Sequence, residues 1–285
     1  MNTRLLSAQA VHAAAQLRAQ HQIGPAQAIC PYDLAIELQI KVSFLAAPSL
    51  EGMYSPEPRP AIILNSERPA GRRRFTCAHE IGHHIFKHGY RIDELSEENS
   101  SSTSPDEFLA QRFASALLMP KIAIDAAFSR RGWSPSAVQP DQFFIVAQEL
   151  GVGFATLVTN TEVNLKAISA VQAEALRRIP LPKIRNKVVG RQVENDVFKV
   201  DAHWLRRTVD VAVGDLVILP EQATFTGACA LQDRAHDGNL IAMSVGTGTI
   251  YLAQRLEPLT LRVSEEGFVG LARYRHLEDS ADDEL

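Results

Sequence analysis

The spacing of apolar residues predicts a first part of the chain that is built mostly from helices. Residues 3–20 place an apolar stripe at helical intervals, and a second, short helix is predicted at 32–38. Alternating apolar residues predict strands at 40–47 and 61–65, with a turn-rich stretch, 49–60, between them. Further helices are predicted at 72–88, 105–118, 121–130 and 141–150, and from Gly153 to about Arg178.

The second part of the chain changes to a pattern of period two. The Pro-containing stretch 179–184 interrupts the helices, and the apolar–polar runs that follow are separated by Gly, Asp and Pro. These runs predict strands within 209–219, 223–231, 240–254 and 259–275. We therefore expect an α+β protein with a domain at 1–178, a β-rich domain of unknown role at 186–276, and a disordered acidic tail at 277–285.

Composition and charge narrow the class of protein. The chain has 285 residues, 46% of them hydrophobic and 22% charged, which is typical of a globular protein. A net charge of −4 gives no general attraction for nucleic acid or anionic lipid, and no apolar run is long enough to span a membrane. Because the N-terminus lacks an export signal and the three cysteines are far apart, we expect a cytoplasmic protein with free thiols. The sequence does not indicate an oligomeric state.

The strongest chemical signal is the HExxH motif that runs from His79 to His83 in a predicted helix. Residues four apart on an α-helix are offset by only about 40°, so both imidazoles project from one face and can reach one ion. Glu80 is rotated from that direction, which places its carboxylate beside the ion, where it can accept a proton from a water. The motif indicates a zinc site; the alternative is an amphipathic helix whose histidines have structural roles.

A catalytic zinc needs a third protein ligand, which the motif itself does not supply. His84 and His88 face away from His79 if the helix is continuous, and Cys77 points to another side. We expect structural or solvent-exposed roles for these three residues. The acidic residues of the polar, Ser-rich loop 89–104 are poorly fixed, so they are weak candidates.

Glu107 is the remaining candidate, because it lies in the helix that follows this loop. It has a competing structural role. Ser104 suits the N-cap of that helix, Pro105 suits its first position, and Glu107 then stands where the glutamate of a capping box is found. The residue types and their spacing leave both capping and metal binding open for Glu107.

Two segments together resemble the ImmA/IrrE family of metallopeptidases. The segment RRRFTCAHEIGHH matches the family pattern RF-T-x-A-H-E-x-G-H, and EFLAQRFASALLMP, which begins at Glu107, matches E-x-x-A-N-x-F-A-x-x-L-L-M-P. Gln111 departs from the pattern, since the family usually has Asn there, but the metal-binding positions are intact. The elements upstream of the motif also fit, so the resemblance covers about residues 5–175 and leaves out the β-rich part.

This resemblance implies a zincin-like fold in which a small mixed sheet packs on the HExxH helix. It assigns His79, His83 and Glu107 as zinc ligands and Glu80 as the general base and acid. Manganese remains an alternative metal, although two imidazoles and one carboxylate favour zinc. The activity that the resemblance implies is that of an intracellular, gluzincin-like endopeptidase. The substrate it implies is a helix-turn-helix (XRE-type) transcriptional repressor in a stress-response or mobile-element switch.

Two further hypotheses concern the substrate and the function. An extended substrate could add to the strand at 61–65, if that strand lies at an edge of the sheet. The competing function is a zinc-containing sensor or scaffold that binds a regulator without cleaving it. The presence of Glu80 argues for catalysis, because a purely structural zinc site needs no base.

Overall fold

The computed structural model describes residues 2–94, 104–137, 139–206, 208–232, 239–253 and 255–277. The chain divides into two compact units. The first comprises Met1–Ile179 with Val269–Ala272, and the second Pro180–Phe268 with Arg273–Leu285. The domain boundaries given above stay a prediction, and the predicted disorder of the tail concerns residues that, after Leu277, lie outside the described ranges.

Helices and strands both contribute to the fold, which confirms the α+β prediction. The helices are α1 (Thr3–Gln20), α2 (Pro31–Glu37), α3 (Ala70–Phe86), α4 (Pro105–Leu118), α5 (Lys121–Ser129), α6 (Pro140–Leu150), α7 (Phe154–Thr159), α8 (Ala170–Arg177) and α9 (Leu181–Val189). The strands are β1 (Lys41–Leu45), β2 (Leu50–Ser55), β3 (Ala61–Asn65), β4 (Arg91–Glu94), β5 (Val197–Lys199), β6 (Thr208–Ala212), β7 (Leu216–Ile218), β8 (Thr224–Thr226), β9 (Ala230–Gln232), β10 (Asn239–Ala242), β11 (Gly246–Tyr251), β12 (Leu259–Ser264) and β13 (Gly270–Leu271).

The first unit contains a mixed sheet. Its described strands are arranged in the order β13-β1-β3-β2-β4, with β1 parallel to β3 and the other neighbours antiparallel. The register aligns Val42 with Ile62 and Phe44 with Leu64, and all four side chains are buried. Since side chains alternate between the faces of a strand, these four lie on one face. The sheet packs against α3 through β2 and β3.

Two expectations about the sheet are wrong. The segment 49–60 was expected to be turns, but Leu50–Ser55 is strand β2. Gly52 occupies one of the two inward positions of β2, so the apolar alternation that marks a strand is missing from the sequence. The segment 61–65 was considered as an edge for substrate binding, but β3 lies between β1 and β2, whose hydrogen bonds occupy both of its sides.

Two expectations about the segments that connect the elements are also corrected. The predicted loop 89–104 contains β4, which pairs with β2 at the end of the sheet; residues 95–103 lie outside the described ranges. The helix predicted from 153 to 178 is divided into α7, a π-helical turn at Asn160–Asn164, and α8. The interruption includes Lys166 at a positive φ of 54°, and a capping box between Ser169 and Gln172 begins α8.

Helix α3 lies between the sheet and α4, and this position explains its burial. Every residue from Thr76 to His83 is buried, so the helix has no exposed face along two turns. Gly82 allows α4 to approach closely, because a Cβ atom there would lie 3.0 Å from the Cα atom of Ala110. The HExxH residues therefore lie inside the first unit.

No single helix in the described ranges is both long and apolar enough to cross a membrane. Two helical segments, Pro140–Leu150 and Phe154–Asn164, together have the length and apolar composition of a membrane span, but a bend of 102° separates them.

The second unit is β-rich, as its period-two pattern predicts. Its described strands form two four-stranded sheets, in the orders β5-β7-β10-β9 and β6-β12-β11-β8. A shared core contains Trp204, Val209, Val217, Ile250 and Leu261, each at most 1% exposed. The short β5 and α9 have no counterpart in the sequence prediction. Strand β13 belongs to the first unit, where it pairs with β1.

Asp210 is the centre of a buried charged cluster in the second unit. Its carboxylate accepts hydrogen bonds from Arg206 and from Arg262, 2.5 Å away in the second case. The Nε2 atom of His276 lies 3.6 Å from the same carboxylate. Burial, followed by the charge of Arg275, lowers the pKa of His276 from 6.5 to about 4, although the Asp210 carboxylate opposes the change. The folded state therefore favours neutral His276.

We expect the second unit to lose stability between pH 6.5 and about 4 because of this histidine. A depressed histidine pKa means that the unfolded chain binds the proton more readily, so the contribution is complete above pH 6.5 and falls as the pH decreases. A full shift corresponds to about 3 kcal/mol. Denaturant unfolding followed by Trp204 fluorescence, in a Trp133→Phe background, measures it. His276→Gln should flatten the profile in this window; superimposable profiles would contradict the assignment.

Candidate metal centre

His79 and His83 occupy one face of α3, one turn apart. Their Nε2 atoms are 3.0 Å apart, and the residues are 6% and 0% exposed. The geometry is that of residues four apart on an α-helix, as the spacing predicts. Two ring nitrogens that approach this closely cannot both carry a proton towards each other, so this point of the structure favours a shared proton or a cation.

Glu107 brings a carboxylate to the same point from α4. Its Oε2 atom is 3.1 Å from His79 Nε2, and its Oε1 atom is 3.5 Å from His83 Nε2. One ligand atom from each of the three residues lies within 4.8 Å of the others. The close packing of Gly82 against Ala110, which is one turn after Glu107, holds the two helices at the distance that makes this possible.

The capping role considered for Glu107 is only partly realised. The Ser104 hydroxyl accepts a hydrogen bond from the backbone N–H of Glu107, at 3.2 Å, so Ser104 does cap α4. The Glu107 carboxylate instead lies against the two imidazoles. Hydrogen bonds with His79 and then His83 hold the pKa of Glu107 well below its ordinary value, although burial opposes this.

The three side chains fit a divalent transition metal. Two imidazole nitrogens and an ionised carboxylate are a ligand set found in catalytic zinc sites, where three protein ligands leave a position for water or substrate. Imidazole ligands favour zinc over the hard, oxygen-preferring cations. The low pKa of Glu107 means that the carboxylate is in the charged form that such an ion needs.

Glu80 is fully buried, and strand β2 makes room for it. A Cβ atom at Gly52 would lie 2.6 Å from Glu80 Oε1 and 2.4 Å from Thr76 Cγ2. Both distances are far below van der Waals contact, so only glycine fits at position 52 without displacing these side chains. The sequence does not reveal this function of Gly52, because a glycine in a turn-rich segment gives no indication of a distant neighbour.

Gly52→Ala is expected to displace the Glu80 carboxylate while leaving the three metal-binding side chains in place. A misplacement of about 1 Å in a reacting group can reduce a rate on the order of a hundredfold. We expect lower proteolytic activity at unchanged metal content, measured by a cleavage assay and elemental analysis. Gly24→Ala is the matched control, because the nearest atoms there are 3.8 Å away. If Gly52→Ala and Gly24→Ala were both as active as the native protein, the expected displacement of Glu80 would be contradicted.

His88 has a different position from the one expected for a continuous helix. Helix α3 ends at Phe86, and Lys87 is left-handed, with a φ of 57°. The N–H of His88 then bonds to the carbonyl of His83, and the N–H of Lys87 to that of His84, which together form a Schellman motif. This turn brings the His88 ring back to the site, with its Nδ1 atom 3.0 Å from His83 Nδ1.

The contact from His88 orients a candidate ligand. With Nε2 of His83 directed at the metal centre, its Nδ1 carries the proton and donates a hydrogen bond to Nδ1 of His88. The other nitrogen of His88 is then protonated and lies 3.6 Å from the carboxylate of Asp106, which also pairs with Arg91 of β4. The expected direction of His88 is thus corrected: its side chain lies against His83 and has the structural role of supporting it.

His88→Asn is expected to weaken metal binding without removing a ligand. Loss of an outer partner of a metal-binding histidine typically lowers the affinity on the order of tenfold to a hundredfold. Competition with a zinc chelator measures the change. His12→Asn, on α1 and exposed, is a matched control that should bind metal as the native protein does. An affinity equal to that of the control would contradict the orienting role.

His84 and Cys77 are not among the residues that could hold the ion in the described part of the chain. His84 Nδ1 lies 2.8 Å from the hydroxyl of Tyr54 on β2, and burial lowers the pKa of His84 and raises that of Tyr54. Cys77 is a fully buried cysteine. The side chains of the acidic residues at 93–98 lie outside what the structure describes.

An HExxH helix and a carboxylate from the following helix converge on one point beside a buried glutamate, and together they form a candidate metal site of the kind found in metallopeptidases. The family model of the IrrE N-terminal-like domain, a family of M78 peptidases, matches residues 37–161. Residues 37–161 thus form a domain of that family, which confirms the resemblance and supports a metallopeptidase type of function. A comparison with curated proteins gives no match.

Proposed function

We propose that the protein is a zinc-dependent endopeptidase of the gluzincin-like type. The observation that carries the proposal is the convergence of His79, His83 and Glu107 within 4.8 Å, on the same helix pair as the buried Glu80. Zinc is the proposed metal because of the two imidazole ligands, and manganese is the alternative.

The proposed mechanism assigns a separate task to each side chain. His79, His83 and Glu107 would hold the ion, which would supply a Lewis acid and acidify a water. Glu80 accepts the proton of the water that attacks the scissile carbonyl and later delivers it to the leaving nitrogen. Gly52 keeps the space that the Glu80 carboxylate occupies, and His88 keeps the His83 ring in the orientation that directs Nε2 to the ion.

The proposed substrate would pair with β4. This strand has β2 as a neighbour on one side and ends the order of the described strands. Arg91 of β4 forms an ion pair with Asp106, the residue before Glu107, so β4 lies beside the helix end that carries the third metal-binding side chain. An extended peptide on β4 would gain backbone hydrogen bonds next to the metal centre.

The substrate class that we propose is an XRE-type, helix-turn-helix transcriptional repressor in the cytoplasm. Cleavage would operate a stress-response or mobile-element switch. The support for this substrate is the family likeness.

Co-expression with an XRE-type repressor, taken from a neighbouring gene where one is present, tests the proposal. Cleavage of the repressor that depends on Glu80 and on added zinc supports a peptidase. Formation of a stable complex without cleavage, equally with native protein and Glu80→Gln, would instead support the sensor or scaffold alternative.

A further inference from the structure

A partly open cavity of about 350 Å³ lies in the first unit and shares no lining residue with the metal centre. It is formed where α1 packs against α4, and the π-helical turn at Asn160–Asn164 contributes to its wall. Its lining is mainly aliphatic and includes Val11, Ile23, Met119, Ile122 and Leu165. A volume of this size lies within the range of about 300–1,000 Å³ that is typical of small-molecule sites.

A buried cation, Arg18, lines this apolar cavity. The residue is 4% exposed, and its guanidinium donates hydrogen bonds to the carbonyls of Leu117, Gly24 and Gln27. Its Nε–H group is buried without a hydrogen-bond partner, and Arg18 forms no ion pair within the described residues. Burial lowers the pKa of Arg18 to about 10. A charge that is buried without a counter-ion is unfavourable, so this position favours an anion.

A second arginine of the cavity lining also lacks a counter-ion among the described residues. Arg112 of α4 is half-buried and donates from Nε to the Ser7 hydroxyl, at 2.8 Å, and no ion pair is found for it among the described residues. The third cation of the lining, Lys121, already pairs with Asp125. No Asp or Glu is part of the cavity lining that the structure describes.

We propose that this cavity is a binding site for a small apolar molecule that carries one carboxylate. The aliphatic wall would hold the apolar body, and the carboxylate would neutralise Arg18 and accept hydrogen bonds from Arg18 and Arg112. A neutral apolar molecule would leave the Arg18 charge uncompensated, and a polyanion would place surplus charge against the aliphatic wall. The site shares no residue with the metal centre and does not depend on the proposed peptidase function.

Calorimetric titration of the full chain with octanoate, and with octanol as the uncharged comparison, tests this site. We expect octanoate to bind saturably at one site per chain. Octanol should bind on the order of tenfold more weakly, because it lacks the charge-assisted hydrogen bonds. Absence of octanoate binding, or equal affinity for the two compounds, would overturn the proposal.

Four variants locate the binding. Arg18 holds three backbone carbonyls, so its replacement would disturb the fold, and Arg112→Gln is used to remove charge instead. Ala116→Leu on α4 and Ala19→Leu on α1 fill the cavity from two sides, and Ala19 is exposed enough for its variant to fold. Ala8→Leu, exposed on α1 outside the cavity, is the matched control.

We expect both cavity-filling variants to lose octanoate binding and Ala8→Leu to retain it. Arg112→Gln should weaken octanoate on the order of tenfold while leaving octanol unchanged. Thermal unfolding establishes that each variant is folded. Octanoate binding that is undiminished in folded Ala19→Leu and Ala116→Leu would place the ligand elsewhere and overturn the proposal.

Discussion

Glu80→Gln is expected to abolish proteolysis while the protein still binds its metal. The amide keeps the size of the fully buried side chain but cannot accept a proton, so the rate of hydrolysis should fall on the order of a hundredfold to ten-thousandfold. The metal should remain, because His79, His83 and Glu107 are unchanged. Cleavage of the repressor and elemental analysis of the same preparation measure the two properties.

Glu67→Gln is the matched control for this experiment, since it makes the same change at an exposed position. It should cleave and bind metal as the native protein does. Full activity of Glu80→Gln would remove the proposed base. Loss of both metal and activity in Glu80→Gln would mean that this side chain supports the metal centre and would leave its role in proton transfer without support.

Glu107→Ala is expected to lose both the metal and the activity. Removal of an outer partner of a metal ligand already lowers the affinity on the order of tenfold to a hundredfold, and loss of a direct ligand should exceed that. The substitution also removes the carboxylate that lies 3.1 Å from Nε2 of His79 and 3.5 Å from Nε2 of His83, so the two imidazoles face each other without it. Zinc titration against a chelating dye measures the affinity.

Ser104→Ala distinguishes metal binding by Glu107 from helix capping. Ser104 caps α4 through the N–H of Glu107, and loss of such a cap costs about 1 kcal/mol of stability. We expect Ser104→Ala to unfold more readily and to bind zinc normally, whereas Glu107→Ala should lose zinc. If the two variants have the same small loss of stability and the same zinc affinity, Glu107 is a capping residue only.

The metal centre could be predicted from the sequence to the extent that it depends on local helical geometry. The positions of His79 and His83 follow from their spacing alone. The predicted direction of His88 was wrong, because the helix ends at Phe86 and does not continue to His88. Lys87 ends the helix in a left-handed conformation, which lysine rarely adopts. Because the usual glycine is absent at this position, the sequence does not indicate the turn.

The parts that could not be predicted depend on contacts between distant segments. Strand β2 cannot be recognised from the sequence, because its inward position 52 is a glycine and glycine does not favour strands. The glycine is required there by the close approach of Glu80 on α3. The position of β3 inside the sheet depends on β2 in turn. The competing roles of Glu107 could be separated only by the packing of α4 against α3.

The central claim is that one metal ion binds between His79, His83 and Glu107. The most direct measurement is an anomalous-difference map from crystals of the zinc-loaded protein, recorded on both sides of the zinc absorption edge. We predict one strong peak at about 2.0–2.2 Å from Nε2 of His79, Nε2 of His83 and a carboxylate oxygen of Glu107. A zinc-loaded crystal with no peak at this point, or with a zinc ion bound there by other residues, would contradict the account.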